Sequence, residues 1–76
     1  VRDLVEFVAT SLVDDPDAVN IRMRDRDDAT VIELEVAPDD LGKVIGRQGR
    51  TARAIRTLLS AAGQKSRRRY VLDILD

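Results

Sequence analysis

The chain has 76 residues with no cysteine and no histidine, and its 13 lysines and arginines nearly balance 14 acids. That length allows one small domain, residues 1–76, because a chain this short buries only about 60% of the surface its unfolded form exposes. Without cysteine there is no disulfide framework or thiolate metal site. Without histidine the usual general base near neutrality and the commonest zinc ligand are missing, so no metal or cofactor is expected.

The apolar share of 43% is that of a folded domain, with Phe7 and Tyr70 as the only aromatics. No apolar run approaches the ~20 residues of a membrane span. Asp3 and Glu6 sit where a signal peptide would be basic and then apolar. A cytoplasmic protein with no membrane role is the expectation.

The near-neutral total hides a segregation. Residues 1–40 hold twelve acids and four arginines, a balance of −8, whereas residues 41–70 hold nine bases and no acid. An acid-free stretch of that length makes a local positive field, and a polyanion is its natural partner.

In chain order, Val1, Leu4, Val5, Val8 and Leu12 recur at helical spacing with Phe7 beside them, which predicts a first amphipathic helix. Asp14-Asp15-Pro16-Asp17 ends it, since the residue before proline is pushed out of the helical region. Those acids read as a solvated turn, because a calcium loop needs a longer ladder of ligands. From Val19 the period becomes two: Val19, Ile21 and Met23 mark one strand, Ile32, Leu34 and Val36 a second, and Asp25–Asp28 the turn of an antiparallel hairpin. Arg22 and Arg24 are expected opposite Glu33 and Glu35 on its solvent side.

Pro38 starts a short helix with Asp39 and Asp40 in its first turn, and it runs only to Ile45 before Gly46. A helix that short depends on packing by Leu41, Val44 and Ile45. Residues 50–62 form a longer one, with Ala52, Ile55, Leu58, Leu59 and Ala62 on its inner side, Arg50, Arg53 and Thr57 opposite, and Arg56 flanking. Gly63 is expected to stop that helix, with Lys65 to Arg69 as a basic connector. Tyr70, Leu72 and Ile74 then alternate in a last strand. The predicted class is α+β in the order α-β-β-α-α-β: a three-stranded mixed sheet with three helices on one face, its last two strands parallel across the two-helix connection.

The stretch Val44-Ile45-Gly46-Arg47-Gln48-Gly49-Arg50 lies at the centre of this plan. Two glycines three apart let the backbone turn tightly and let another chain approach its amides. It is not a P-loop, since no Gly-x-x-x-x-Gly-Lys-Ser/Thr string exists, and it lacks the first glycine of the dinucleotide fingerprint. No serine or threonine has a base placed beside it by spacing, so catalysis is not expected. Backbone binding of a nucleic acid fits. Amides at a helix start attract phosphate, and Arg47, Arg50 and Arg53 add charge within reach of the same strand, with no acid at helical spacing to neutralise them.

These residues resemble the Ile-Gly-x-x-Gly signature of KH RNA-binding domains, and the element order is similar to the type II, bacterial arrangement. The stretches Leu12–Val19 and Val36–Gly46 further resemble the small, single-domain KhpA-type proteins of bacteria. The resemblance implies a GxxG loop that clamps about four backbone nucleotides of single-stranded RNA. Lys43, Gly46, Arg47, Gln48, Gly49 and Arg50 would then meet the backbone. Ile45, Ala52, Arg53, Tyr70 and Leu72 would border the bases in a mainly aliphatic groove. It also implies weak, low-specificity binding, pairing with itself or with a larger KH protein of the Jag/KhpB type, and a role in RNA chaperoning and control of cell elongation.

Pairing has a separate hint in Ala54, Leu58 and Ala61, a small-residue strip that would admit a second helix, or equally would pack on the first helix of the same chain. The competing reading is a dimerising adaptor that keeps the KH shape and binds little RNA.

Overall fold

The period-two stretches pair as their patterns predict. β1 (Asn20–Arg26) and β2 (Ala29–Glu35) form the antiparallel hairpin, closed by Asp27, at φ 49°, and Asp28. β3 (Arg69–Ile74) lies parallel to β2 on its other side, giving the sheet order β1-β2-β3. The computed structural model describes residues 1–76, and α1 (Arg2–Leu12), α2 (Leu41–Ile45) and α3 (Arg50–Ser66) complete the order α-β-β-α-α-β.

One sheet face carries Thr30, Ile32, Leu34 and Leu72 and is covered by the helices. Val5 and Ala9 from α1, Val44 from α2, and Ile55 and Leu59 from α3 pack with Ile32, Leu34 and Leu72 in one core. β2 is the central strand, and Ile32 and Leu34 are fully buried in it. On the open face the cross-strand charges are shifted by one pair. Arg22 stands opposite Glu33 in the ladder, but it is Arg24 that reaches Glu33 diagonally, at 3.4 Å, while Glu35 accepts from Asn20.

Burial departs from the pattern at the margins. Leu12 and Met23 lie about 40% exposed, and Phe7 is exposed at 71%. α1 buries a narrow stripe centred on Val5 and Ala9, and the edge strand β1 extends beyond its cover. Leu58 is likewise exposed, because the inner stripe of α3 is Ala52, Ile55, Leu59 and Gly63.

Gly63 does not stop α3. The helix runs on to Ser66 and ends at Arg67, whose φ of 56° is left-handed. Gly63 is buried within it because the chain folds back across that point: a Cβ there would sit 2.2 Å from the Arg68 carbonyl oxygen. The Arg68 N–H donates to the Gly63 carbonyl at 2.8 Å, which closes the helix end.

Candidate nucleic-acid interface

The loop between α2 and α3 is a single 3-10 turn, Arg47–Gly49, held by the Gly49 N–H donating to the Gly46 carbonyl at 3.0 Å. Its two glycines are required for different reasons. Gly46 has φ 77° and ψ 169°, a region open in practice only to glycine, and a Cβ on it would lie 2.2 Å from Thr51 Oγ1 and 2.8 Å from the Thr51 backbone nitrogen. Gly49 has φ 74° with open space around it, so its constraint is conformational alone. Between them Gln48 is also left-handed, at φ 56°. Arg53 Nη2 donates to the Gln48 carbonyl at 3.0 Å and braces this turn from one helical turn onward.

Gly49 caps α3 without a side-chain bond, and although the Arg50 N–H donates to the Arg47 carbonyl, the helix dipole leaves partial positive charge at this end of α3. Arg47, Gln48 and Arg50 around them are exposed. Of the nine bases between residues 41 and 70, two are paired with acids, Lys43 and Arg68, which leaves seven without one. Arg47, Arg50, Arg53 and Arg56 are four of those seven. Guanidiniums this close together without acid partners repel each other, whereas a phosphate chain would relieve them.

Beyond the loop, α3 runs beside β3. Ile45 is 37% exposed at the end of α2 and Tyr70 is half-buried at the start of β3, so both leave apolar surface open to solvent. Ala52 and Leu72 are buried, at 3% and 4% exposure, and lie beneath that surface. Leu72 contributes instead through its main chain. The Leu75 N–H donates to Leu34 O at 2.9 Å, so the alternation along the strand turns the N–H and C=O of Tyr70, Leu72 and Ile74 to the free edge. Arg56 Nη2 reaches the Leu72 carbonyl there at 3.5 Å. Sequence spacing placed Arg56 only on the flank of the helix. Its one-turn offset from Arg53 was the signal that it faces the free edge of β3.

Lys43 departs from the sequence reading. Its ammonium donates to Asp14 Oδ2 and, at 3.0 Å, to Asp40 Oδ1, and those two carboxylates raise its pKa above the ordinary lysine value. Asp40 is itself buried, and its carboxylate also accepts the backbone N–H groups of Asp14 (3.2 Å) and Asp15 (3.1 Å). The bond from Lys43, followed by those two amides, outweighs burial and holds its pKa below the usual aspartate value. Lys43 therefore ties α2 to the turn after α1. Arg68 is tied in the same way, donating from Nε to the buried Thr30 Oγ1 and from Nη2 to Asp25, both at 2.6 Å.

Ala54, Leu58 and Ala61 are all exposed, Leu58 at 47%, so packing on α1 does not account for the strip. No cluster of acids fit for a metal ion forms, and no helix is long and apolar enough to cross a membrane.

A short helix, a GxxG turn and a long basic helix beside a three-stranded mixed sheet are the parts of a type II KH domain. The chain belongs to that family: residues 2–74 match the model of the KhpA/KhpB KH domain. It is 52% identical over 75 residues to RNA-binding protein KhpA of Halalkalibacterium halodurans, covering 99% of each chain. It is 51% identical to RNA-binding protein KhpA of Aquifex aeolicus over 99% of this chain and 95% of that one. RNA-binding protein KhpA of Borreliella burgdorferi is 50% identical over 97% of this chain and 90% of its own.

Proposed function

We propose that this chain is a non-catalytic RNA-binding protein of the cytoplasm that holds a short single strand along the Gly46–Gly49 loop and the first turns of α3, and that serves as an RNA chaperone or post-transcriptional regulator. The observation that carries the reading is the loop itself. Two positive-φ glycines let the backbone turn without a Cβ at either end, and Arg47 and Arg50, free of acid partners, flank it with the N-terminus of α3 beside them. Phosphates lie against that helix end and those guanidiniums. Bases turn inward over Ile45 and Tyr70, where the main chain of Leu72 at the free edge of β3 meets their polar rims. With no aromatic in the α2–loop–α3 segment, stacking is weak and sequence preference modest. The names of the relatives point the same way.

The test is titration of a fluorescent single-stranded RNA at two salt concentrations. Binding weakens as salt rises, and it is lost in the Arg47→Asp/Gln48→Asp variant while the melting temperature holds. Full binding by that folded variant would remove the loop from the mechanism.

A second reading draws on the exposed strip. Ala54 and Ala61 with Leu58 between them offer α3 as a helix-pairing surface for a second copy or a KhpB-type KH protein, and two linked RNA sites would gain avidity. Sedimentation at micromolar concentration gives a dimer that Leu58→Asp converts to monomer. Monomer in both, with no change on adding the KhpB-type protein, would end this reading.

A further inference from the structure

We propose that the RNA path does not stop at the groove but continues to a nucleotide subsite at the C-terminal end of α3, built by Ser60, Gln64, Arg67 and Arg69 around Tyr70. This rests on the RNA-binding reading above. A cleft of about 520 Å³ opens there, and these residues line it with Asp28 from the hairpin turn.

The cleft lies on the continuation of the groove. Arg53, Arg56, Ser60 and Gln64 follow one another at three- and four-residue steps, which keeps them on one stripe of α3, and Arg67 stands at the C-cap that ends it. Two contacts fix the direction in which that stripe looks. Arg56 touches the Leu72 carbonyl, and the Gly63 position lies within 3.5 Å of the Tyr70 ring when a Cβ is built on it. The stripe therefore faces the free edge of β3 over its whole course. A helix of 17 residues is about 25 Å long, so a strand laid along it from the loop passes Arg56 and arrives at the cleft.

The chemistry there suits a nucleotide. Neither Arg67 nor Arg69 takes part in any of the ion pairs of the molecule, so both guanidinium forks are free for phosphate oxygens. The intervening Arg68 is spent on Asp25 and Thr30, and this lock holds the chain where its two neighbours flank the cleft. Tyr70 is the only aromatic lining the cleft, and its ring is a platform for one base. The Ser60 hydroxyl and Gln64 amide supply donors and acceptors for sugar or base edges. Asp28 is the one carboxylate lining the cleft, and two unpaired cations outweigh it.

The test compares mixed-sequence RNA pools of four and twelve nucleotides. Each is titrated against wild type and an Arg67→Asn/Arg69→Gln variant, by fluorescence anisotropy and by amide chemical shifts. Asparagine suits the left-handed backbone of Arg67, so the fold is kept, which an unchanged melting temperature verifies. The variant binds the twelve-nucleotide pool on the order of tenfold more weakly, with a log–log salt slope smaller by about 1.4, as expected for two lost phosphate contacts on a single strand. It binds the four-nucleotide pool as wild type does. In wild type only the longer pool shifts the amides of Gln64 to Arg69, and Asp28→Asn tightens that pool alone. Equal binding of the long pool by variant and wild type, or equal weakening of both pools, overturns the subsite while leaving the groove. Wild type that binds neither pool overturns the groove and the subsite together.

Discussion

Lys43 in α2 and Arg47 in the turn after it lie four residues apart on either side of Gly46 and carry the same charge, yet the fold employs them in opposite ways. Lys43 is held by Asp14 and Asp40 and joins the start of α2 to the turn after α1, two segments distant in sequence. Arg47 has no acid near it and projects from a turn made of left-handed backbone. The difference lies in what the acidic N-terminal part of the chain can reach. Its carboxylates fold against the start of α2 and against Arg68 at the hairpin end, and they leave the loop and the outer face of α3 uncompensated. Charge segregation along the chain thus becomes a division between cations paired with acids inside the fold and cations left without one.

The largest expected effect tests the open end through its backbone. Gly46→Ala places a Cβ where Thr51 already stands and in a conformation that costs of order 1–3 kcal/mol by itself. With the forced shift of Thr51 the loss is about 3 kcal/mol, a fall in melting temperature of roughly 15 °C for a domain of this size. Gly49→Ala meets no neighbour and costs only ~1 kcal/mol. Thermal denaturation of the two variants decides it, and equal losses would show that the Thr51 contact does not matter.

Next comes the closed end. Asp40→Asn keeps one acceptor oxygen but turns an amide toward the Asp14 and Asp15 N–H groups and removes the charge opposite Lys43, so the melting temperature falls. RNA affinity of the folded protein stays as in wild type. A variant that melts normally but binds poorly would mean that Asp40 orients the loop and not the fold.

The comparison is sharpest in a pair of neutral substitutions. Lys43→Met lowers thermal stability and leaves RNA affinity and its salt dependence in place. Arg47→Met leaves stability in place, weakens binding several-fold and reduces the log–log salt slope by about 0.7, one phosphate on a single strand. If both variants lose affinity equally, Lys43 belongs to the interface after all and the division by acid pairing fails.

Much of this was legible before any coordinates. The change of period from helical to two and back again located α1, the three strands and α3, because one-sided burial imposes those periods, while α2 was marked by Pro38 and Gly46. The GxxG turn was legible because few other residues tolerate its backbone. Two kinds of fact were not. Asp40 reads as a first-turn acid, and only the return of the Asp14-Asp15 turn across α2 makes it a buried anchor. Leu58 and Leu59 are adjacent and alike, and which one is buried depends on how α3 rotates over β3. Gly63 carried a true signal with the wrong mechanism: it marks the helix end through the close return of Arg68, three residues before the helix stops.

The smallest effect is the response to pH, and its sign follows from the two locked clusters. Asp25 is held below the usual aspartate value by the Thr30 hydroxyl and then by Arg68, as Asp40 is by Lys43 and the Asp14 and Asp15 amides. A carboxyl whose folded pKa is lowered contributes stability that is present above its unfolded value, about 3.9, and is lost as pH falls through the lower folded value. Lys43, whose pKa is raised, contributes stability that is complete below the unfolded lysine value, about 10.4, and fades as pH rises through the folded one. Urea midpoints are therefore level from about pH 5 to 9 and decline on both sides. Asp25→Asn makes the acid limb shallower and leaves the alkaline limb unchanged. With no histidine in the chain, RNA affinity holds steady across the same range. An alkaline limb that survives in Lys43→Met would show that the lysine cluster is not its source.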